Sequence, residues 1–187
     1  MIDITAEQIN MAKLMLGHIP GAIPKVLASA INRAAEGART DAVTKAKEDY
    51  TITAGRVRET ISISKASTSN LSAAVTSRGR PRALSYYKIR PGKVTKRRPA
   101  DGVYAQVKRS GGGTIAKSFV AKMSSGHVGV FNRTSAGRFP IVQRHGPSVA
   151  QMLESKSVSQ YVEAGANRRL SDRLNHEINR MLARYGK

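Results

Sequence analysis

Pro24-Lys-Val-Leu-Ala-Ser-Ala-Ile-Asn-Arg-Ala-Ala-Glu-Gly-Ala-Arg-Thr-Asp-Ala-Val-Thr-Lys-Ala-Lys-Glu-Asp-Tyr50 has the clearest periodicity in the chain. From Ile23, apolar residues return at three- and four-residue steps through Val26, Leu27, Ala30, Ile31, Ala34, Ala38, Ala42, Val43 and Ala46. That spacing collects them on one face of a helix. Pro24 suits a first helical position, where no amide donor is needed. A helix over 24–50 would be roughly 40 Å long at 1.5 Å per residue, and its alanine face would let another element come close. Gly37 is its weak point, costing about 1 kcal/mol against Ala.

Beyond Tyr50 the period changes. Thr53 is placed to cap a single turn through Arg58, and then alternation sets in. Ile61-Ser-Ile63 and Leu71-Ser-Ala-Ala-Val75 read as a β-pair joined around Ser67–Asn70. Val103–Val107 reads as a third strand, Ser118–Lys122 and His127–Asn132 as a hairpin turning at Ser124-Ser-Gly126, and Ile141–Val142 as an extension of the same sheet. Gly111-Gly-Gly113 has no Gly-Lys-Ser/Thr ending and is read as a flexible turn between strands.

Helices flank this sheet. Thr5-Ala-Glu-Gln8 has the form of a capping box ahead of a short helix that ends near Gly17, with Ile9, Ala12, Met15 and Leu16 on one side. After Gly146-Pro147, Ser148 can cap Val149–Glu154, and a longer helix follows from about Ser157. Tyr161, Val162, Leu170, Leu174, Ile178, Met181, Leu182 and Tyr185 mark its expected buried side. The reading is one α+β domain over 1–187, an antiparallel sheet over 61–142 packed against a long N-terminal helix and C-terminal helices over 148–185.

Charge and composition bound the function. The 187 residues carry 32 Lys+Arg against 12 Asp+Glu, a net charge of +20. Such self-repulsion fits a chain that works beside a polyanion or acidic protein surfaces. Without cysteine there is no disulfide scaffold, zinc ribbon or thiol nucleophile. The acidic start and short apolar runs predict neither a signal peptide nor a membrane span. With three Phe, six Tyr and no Trp, a single-strand binder built on stacked rings is disfavoured.

The loudest signal is a basic segment. Arg78, Arg80, Arg82, Lys88, Arg90, Lys93, Lys96, Arg97 and Arg98 come with no acid among them, spaced by Gly79, Pro81, Pro91, Gly92 and Pro99. The stretch 78–100 reads as an extended arm that touches phosphates or an acidic neighbouring subunit. No base-reading motif accompanies it, so a DNA contact would be independent of sequence. His18, His127, His145 and His176 lack metal-site spacing, and Asp101 is the one carboxylate between residues 60 and 153. No catalytic, metal or cofactor site is expected.

Several blocks together resemble the minor tail protein Z family of tailed bacteriophages and prophages. They are Ala30–Val43, Tyr50–Arg58, Leu71–Pro81 with its Ser77-Arg-Gly-Arg-Pro81, Phe119–Phe131 and Pro140–Val149. The resemblance implies a structural virion protein that completes a long tail at its junction with the head, and no catalytic residues. It also implies a homo-oligomeric, commonly hexameric, ring around the DNA channel, between neck proteins and tail-terminator or tail-tube proteins. The expected location is the virion, assembled in the host bacterial cytoplasm, with no membrane partner. Placing the basic arm on genomic DNA or on an adjacent subunit is an inference from its charge. The rival from another class is a nonspecific basic nucleic-acid-binding protein.

Overall fold

The computed structural model describes residues 5–185 and is mixed helix and sheet, 46% helical and 22% strand. Its helices are α1 (Ala6–Leu16), α2 (Ala22–Asp49), α3 (Ala54–Arg58), α4 (Val149–Glu154) and α5 (Lys156–Tyr185). Its strands are β1 (Ile61–Ser64), β2 (Ala74–Ser77), β3 (Arg82–Ala83), β4 (Lys88–Arg90), β5 (Val103–Lys108), β6 (Gly111–Ile115), β7 (Ser118–Lys122), β8 (Val128–Arg133), β9 (Ile141–Gln143) and β10 (His145–Gly146). They form antiparallel sheets of order β1-β2, β10-β3, β4-β5-β6 and β7-β8-β9. The chain divides into two compact units. One gathers the chain up to Val43, Ile61–Ser77 and the chain from Ser155; the other gathers Thr44–Thr60 and Arg78–Glu154.

The first unit is helical around an alanine-rich core. Thr5 caps α1 with both halves of the capping box present. In α2, Val26, Leu27, Ala30, Ile31, Ala34 and Ala38 are buried, in one cluster with Leu170, Leu174 and Ile178 of α5 and with Ala12 and Leu16 of α1. Small residues on α2 let α5 approach. Between them Arg169 donates twice to Asp41, once over 2.7 Å from Nη2 to Oδ1 and once from Nη1 to Oδ2. The hydrogen bond to Asp41 raises the Arg169 pKa, against the opposing effect of burial. The β1-β2 hairpin is tied to α2 by Asn32, whose Nδ2 donates to the Ala66 carbonyl (2.9 Å) while its Oδ1 accepts from the Ala66 amide (2.8 Å).

The second unit is built on β-strands. Leaving α2, Tyr50 bridges to Lys108 and the Thr51 amide donates to the Val107 carbonyl over 2.9 Å. Val103, Val120 and Val130 are buried. Ser118, wholly buried, accepts from the Val103 amide (2.8 Å) and donates to the Ile115 carbonyl (2.6 Å), which satisfies a donor and an acceptor in the interior. Asn132 holds the β6–β7 turn by donating to Ala116 over 2.9 Å, and Lys117 in that turn adopts φ 58°. Ser148 caps α4 by accepting from the Gln151 amide (3.2 Å), while the Gln151 side chain accepts from the Ser148 amide (2.8 Å).

Tyr87 carries a testable consequence. Its ring is buried and its hydroxyl donates to the Pro147 carbonyl over 2.7 Å. Burial pushes its pKa up to about 12, partly countered by the Arg82 charge. The folded pKa lies above the ordinary value of 10.0, so the folded state holds this proton more tightly. The stabilisation is complete below pH 10 and is lost as pH rises towards 12. Relative to Tyr87→Phe, the parent chain should therefore lose stability across that alkaline window in urea titrations. Parallel curves for the two proteins would rule the assignment out.

Several expectations need correction. Helix α2 begins at Ala22, so Pro24 sits third in it; the first four helical amides have no partner within the helix, and a missing donor there is tolerated. Thr53 does occupy the N-cap of α3, but its side chain makes no capping bond. The strand read at Leu71–Val75 is displaced to Ala74–Ser77. Gly111–Gly113 is part of β6 rather than a turn, paired along β5. The sheet read over 61–142 is four short sheets. Tyr161 and Tyr185 on α5 are about half exposed, 47% and 51%.

Candidate functional site

The second unit holds most of the charge, 20 Lys+Arg against 5 Asp+Glu, or 15 of the 20 net charges. From Arg78 to Leu153, sixteen Lys and Arg stand against Asp101 alone. Fifteen of these cations are exposed; Arg82 is half-buried. A field of one sign with so little to oppose it persists beyond individual side chains.

The nine cations read from the sequence have unequal environments. Arg78 and Arg80 lie exposed between β2 and β3. Arg82 is in β3, with Nη2 3.4 Å from Glu59 Oε1 and its guanidinium 5.7 Å from the Tyr86 ring centroid. Arg56 lies closer over that ring, at 3.9 Å. Lys88 and Arg90 are exposed on β4, which pairs with β5. Lys93, Lys96 and Arg97 are exposed in the stretch that follows. Arg98 donates to the Lys117 carbonyl and stands 5.4 Å from the Phe119 ring centroid.

The extended arm over 78–100 is therefore only partly an arm. Residues 82–90 are folded as β3, a 3-10 turn at Leu84–Tyr86 and β4, with Ala83, Leu84 and Tyr87 buried. The sparse apolar residues of this stretch fall where the sheets need them. Residues 91–100 contain no strand or helix, and Val94 is 52% exposed.

Seven further exposed cations escaped the sequence reading. Lys108, Arg109, Lys117, Lys122, Arg133, Arg138 and Arg144 are scattered over β5, β7, β8 and the connections between β5 and β10. Their signal was the lack of acids over the whole stretch rather than a local run. Lys108, Arg144 and His145 line a cleft of about 810 Å3, with Leu84, Ala105 and Ile115 among its apolar walls. Arg144 also donates to Asn132 Oδ1 over 3.0 Å.

The histidines lie apart. His127 is 2.8 Å from Gln143 through Nε2 and meets Phe131 edge-on at 6.5 Å between centroids, while His18 and His176 are exposed on the first unit. Among the described residues no three His, Cys, Asp or Glu come together in a metal-holding group, and no helix is long and apolar enough to cross a membrane. The chemistry this surface offers is charge, hydrogen-bonding strand edges and an apolar cleft.

The family model described as Prophage minor tail protein Z (GPZ) matches residues 16–187. No curated protein and no solved structure matches the chain.

Proposed function

Because the chain belongs to the prophage minor tail protein Z family, and so is a structural protein of the phage tail, we propose that it completes the tail at the neck. There it forms a ring around the DNA channel and joins tail to head. The observation that carries this reading is the unopposed charge of the second unit, sixteen cations to one acid from Arg78 to Leu153. A ring of such units has a reason to exist where a polyanion passes through it or acidic proteins bracket it. Six copies would be natural for a ring stacked on a tail. The mechanism is assembly: charge complementarity orients the neighbours, and strand edges and the 91–100 stretch supply the contacts.

Electron microscopy of particles made without this gene tests the placement. Tails that accumulate unjoined beside filled heads, or joined particles that cannot infect, are the expected result. Normal infectious particles would overturn it and favour a nonspecific nucleic-acid-binding role, for which duplex affinity should fall steeply with salt.

A further inference from the structure

Strand β6 is an edge. Among the described residues it pairs on one side only, with β5. Its residues, Gly111-Gly-Gly-Thr-Ile115, include no charge and no proline, two devices that commonly close an edge to further pairing. The other edges of the three-stranded sheets are guarded. Strand β4 carries Lys88 and Arg90 and runs into Pro91, β7 ends on Lys122, and β9 has three residues behind Pro140.

The glycines of β6 are not equivalent. Gly112 is demanded by the fold, since a Cβ there would lie 2.6 Å from both Tyr104 Oη and the Ala105 carbonyl oxygen. At Gly111 and Gly113 a Cβ would meet nothing within 4 Å, and neither has a positive φ. Among the described residues nothing requires glycine at these two positions, although glycine weakens a strand. Glycine within a strand often marks close approach by another backbone. Gly113 lines the 810 Å3 cleft and Gly111 an adjoining one of about 460 Å3.

Charge selects the occupant. Lys108 and Arg144 line the larger cleft, Arg109 precedes β6 and Lys117 follows it, and no acid lies between Asp101 and Glu154. We propose that β6 receives an extended acidic segment of another virion protein as an added strand. Main-chain hydrogen bonds would supply affinity, the trough over Gly111 and Gly113 would take side chains, and the surrounding cations would pair with carboxylates. A second copy of this chain is a poor fit. Its only adjacent acids are Glu48-Asp49, inside α2 and both ion-paired to Lys45. The proposal assumes a place in the virion, which family membership supports, and does not depend on that place being the neck.

The test is photo-cross-linking in assembled tails. Benzoylphenylalanine replaces Ser110, which is exposed at the β5–β6 turn, and cross-linked peptides are identified by mass spectrometry. The expected adduct is a net-acidic, extended segment of a different virion protein. An adduct with another copy of this chain, with DNA or with a basic segment, or no adduct, overturns the proposal. In the same background Gly113→Val adds a side chain to the trough, with a Cβ that would meet nothing within 4 Å among the described residues. It should leave thermal unfolding of the isolated protein unchanged or raise its midpoint, and cut adduct yield at least tenfold; an unchanged yield overturns the proposal. The result is read whether or not gene deletion affects head joining, so the two readings fail separately.

Discussion

Replacing Gly165 with Ala is expected to destabilise the protein by about 2–3 kcal/mol, in the range for breaking a partly buried ion pair. Helix propensity alone would make the change favourable by about 1 kcal/mol. A Cβ at Gly165 would fall on Asp41 Oδ2, the oxygen that accepts from Arg169 Nη1. Asp41 is short and 10% exposed, so its carboxylate has little room to move. Arg169 keeps 34% of its side chain in solvent, which holds the expected loss below that for a fully enclosed pair. Gly37→Ala meets the same pair from α2: its Cβ would lie 2.6 Å from Arg169 Cδ and 2.9 Å from Nε. Its cost should be smaller, because an arginine stem can shift.

The decisive comparison is a change of sign. In an Asp41→Ala, Arg169→Ala background the obstructing atoms are gone, and both Gly37→Ala and Gly165→Ala should become stabilising by up to about 1 kcal/mol each. Urea midpoints with unchanged slopes would measure this. If both alanines remain destabilising without the ion pair, helix–helix spacing rather than the pair is what requires glycine.

This site shows where sequence reading stops. The periodicity that predicts α2 also marks Gly37 as a defect, because a one-dimensional pattern cannot register that Arg169, far along the chain, lies across it. The same pattern finds Leu170, Leu174 and Ile178 on α5, where burial follows the helical repeat. It fails at Tyr161 and Tyr185, whose rings fit the spacing but stand about half exposed. Asn32 reads as an ordinary polar helix residue, and only the fold shows its amide pairing with the Ala66 backbone. The capping residues Thr5 and Ser148 are legible because each acts on amides within its own turn. Gly111–Gly113 misleads for the opposite reason. Glycine runs usually punctuate turns, and strand pairing along β5 is a nonlocal fact.

Of the candidate surface, the charge was legible and its distribution was not. The run from Arg78 to Arg98 is conspicuous, yet the structure takes Arg82 into an ion pair and Arg98 onto the Lys117 carbonyl. The seven cations from Lys108 to Arg144 are spread too thinly through strands and turns for a local count to find them.

That division decides which substitutions isolate function from folding. Changing Arg78, Arg80, Lys96 and Arg97 together to Ser should leave the unfolding midpoint nearly unaltered. All four are exposed and make no ion pair among the described residues, and surface changes of this kind are worth within about 0.5 kcal/mol each. Joining of tails to heads should nevertheless fail, with a loss of infectious titre of at least tenfold. Arg82 and Arg98 are left intact because their loss would disturb local structure and confuse the result. The salt dependence of duplex binding by the purified protein then identifies the partner. If the four side chains meet phosphates, removing them should lower the slope of log affinity against log salt by up to about 4, near one per contact. If they meet an acidic neighbour, joining should fail while that slope stays the same. Unimpaired joining would remove this segment from the interface and leave the cations of β5, β7 and β8 to carry it. Unfolding of the variant would mean that residues 78–80 and 96–97 belong to the body of the fold.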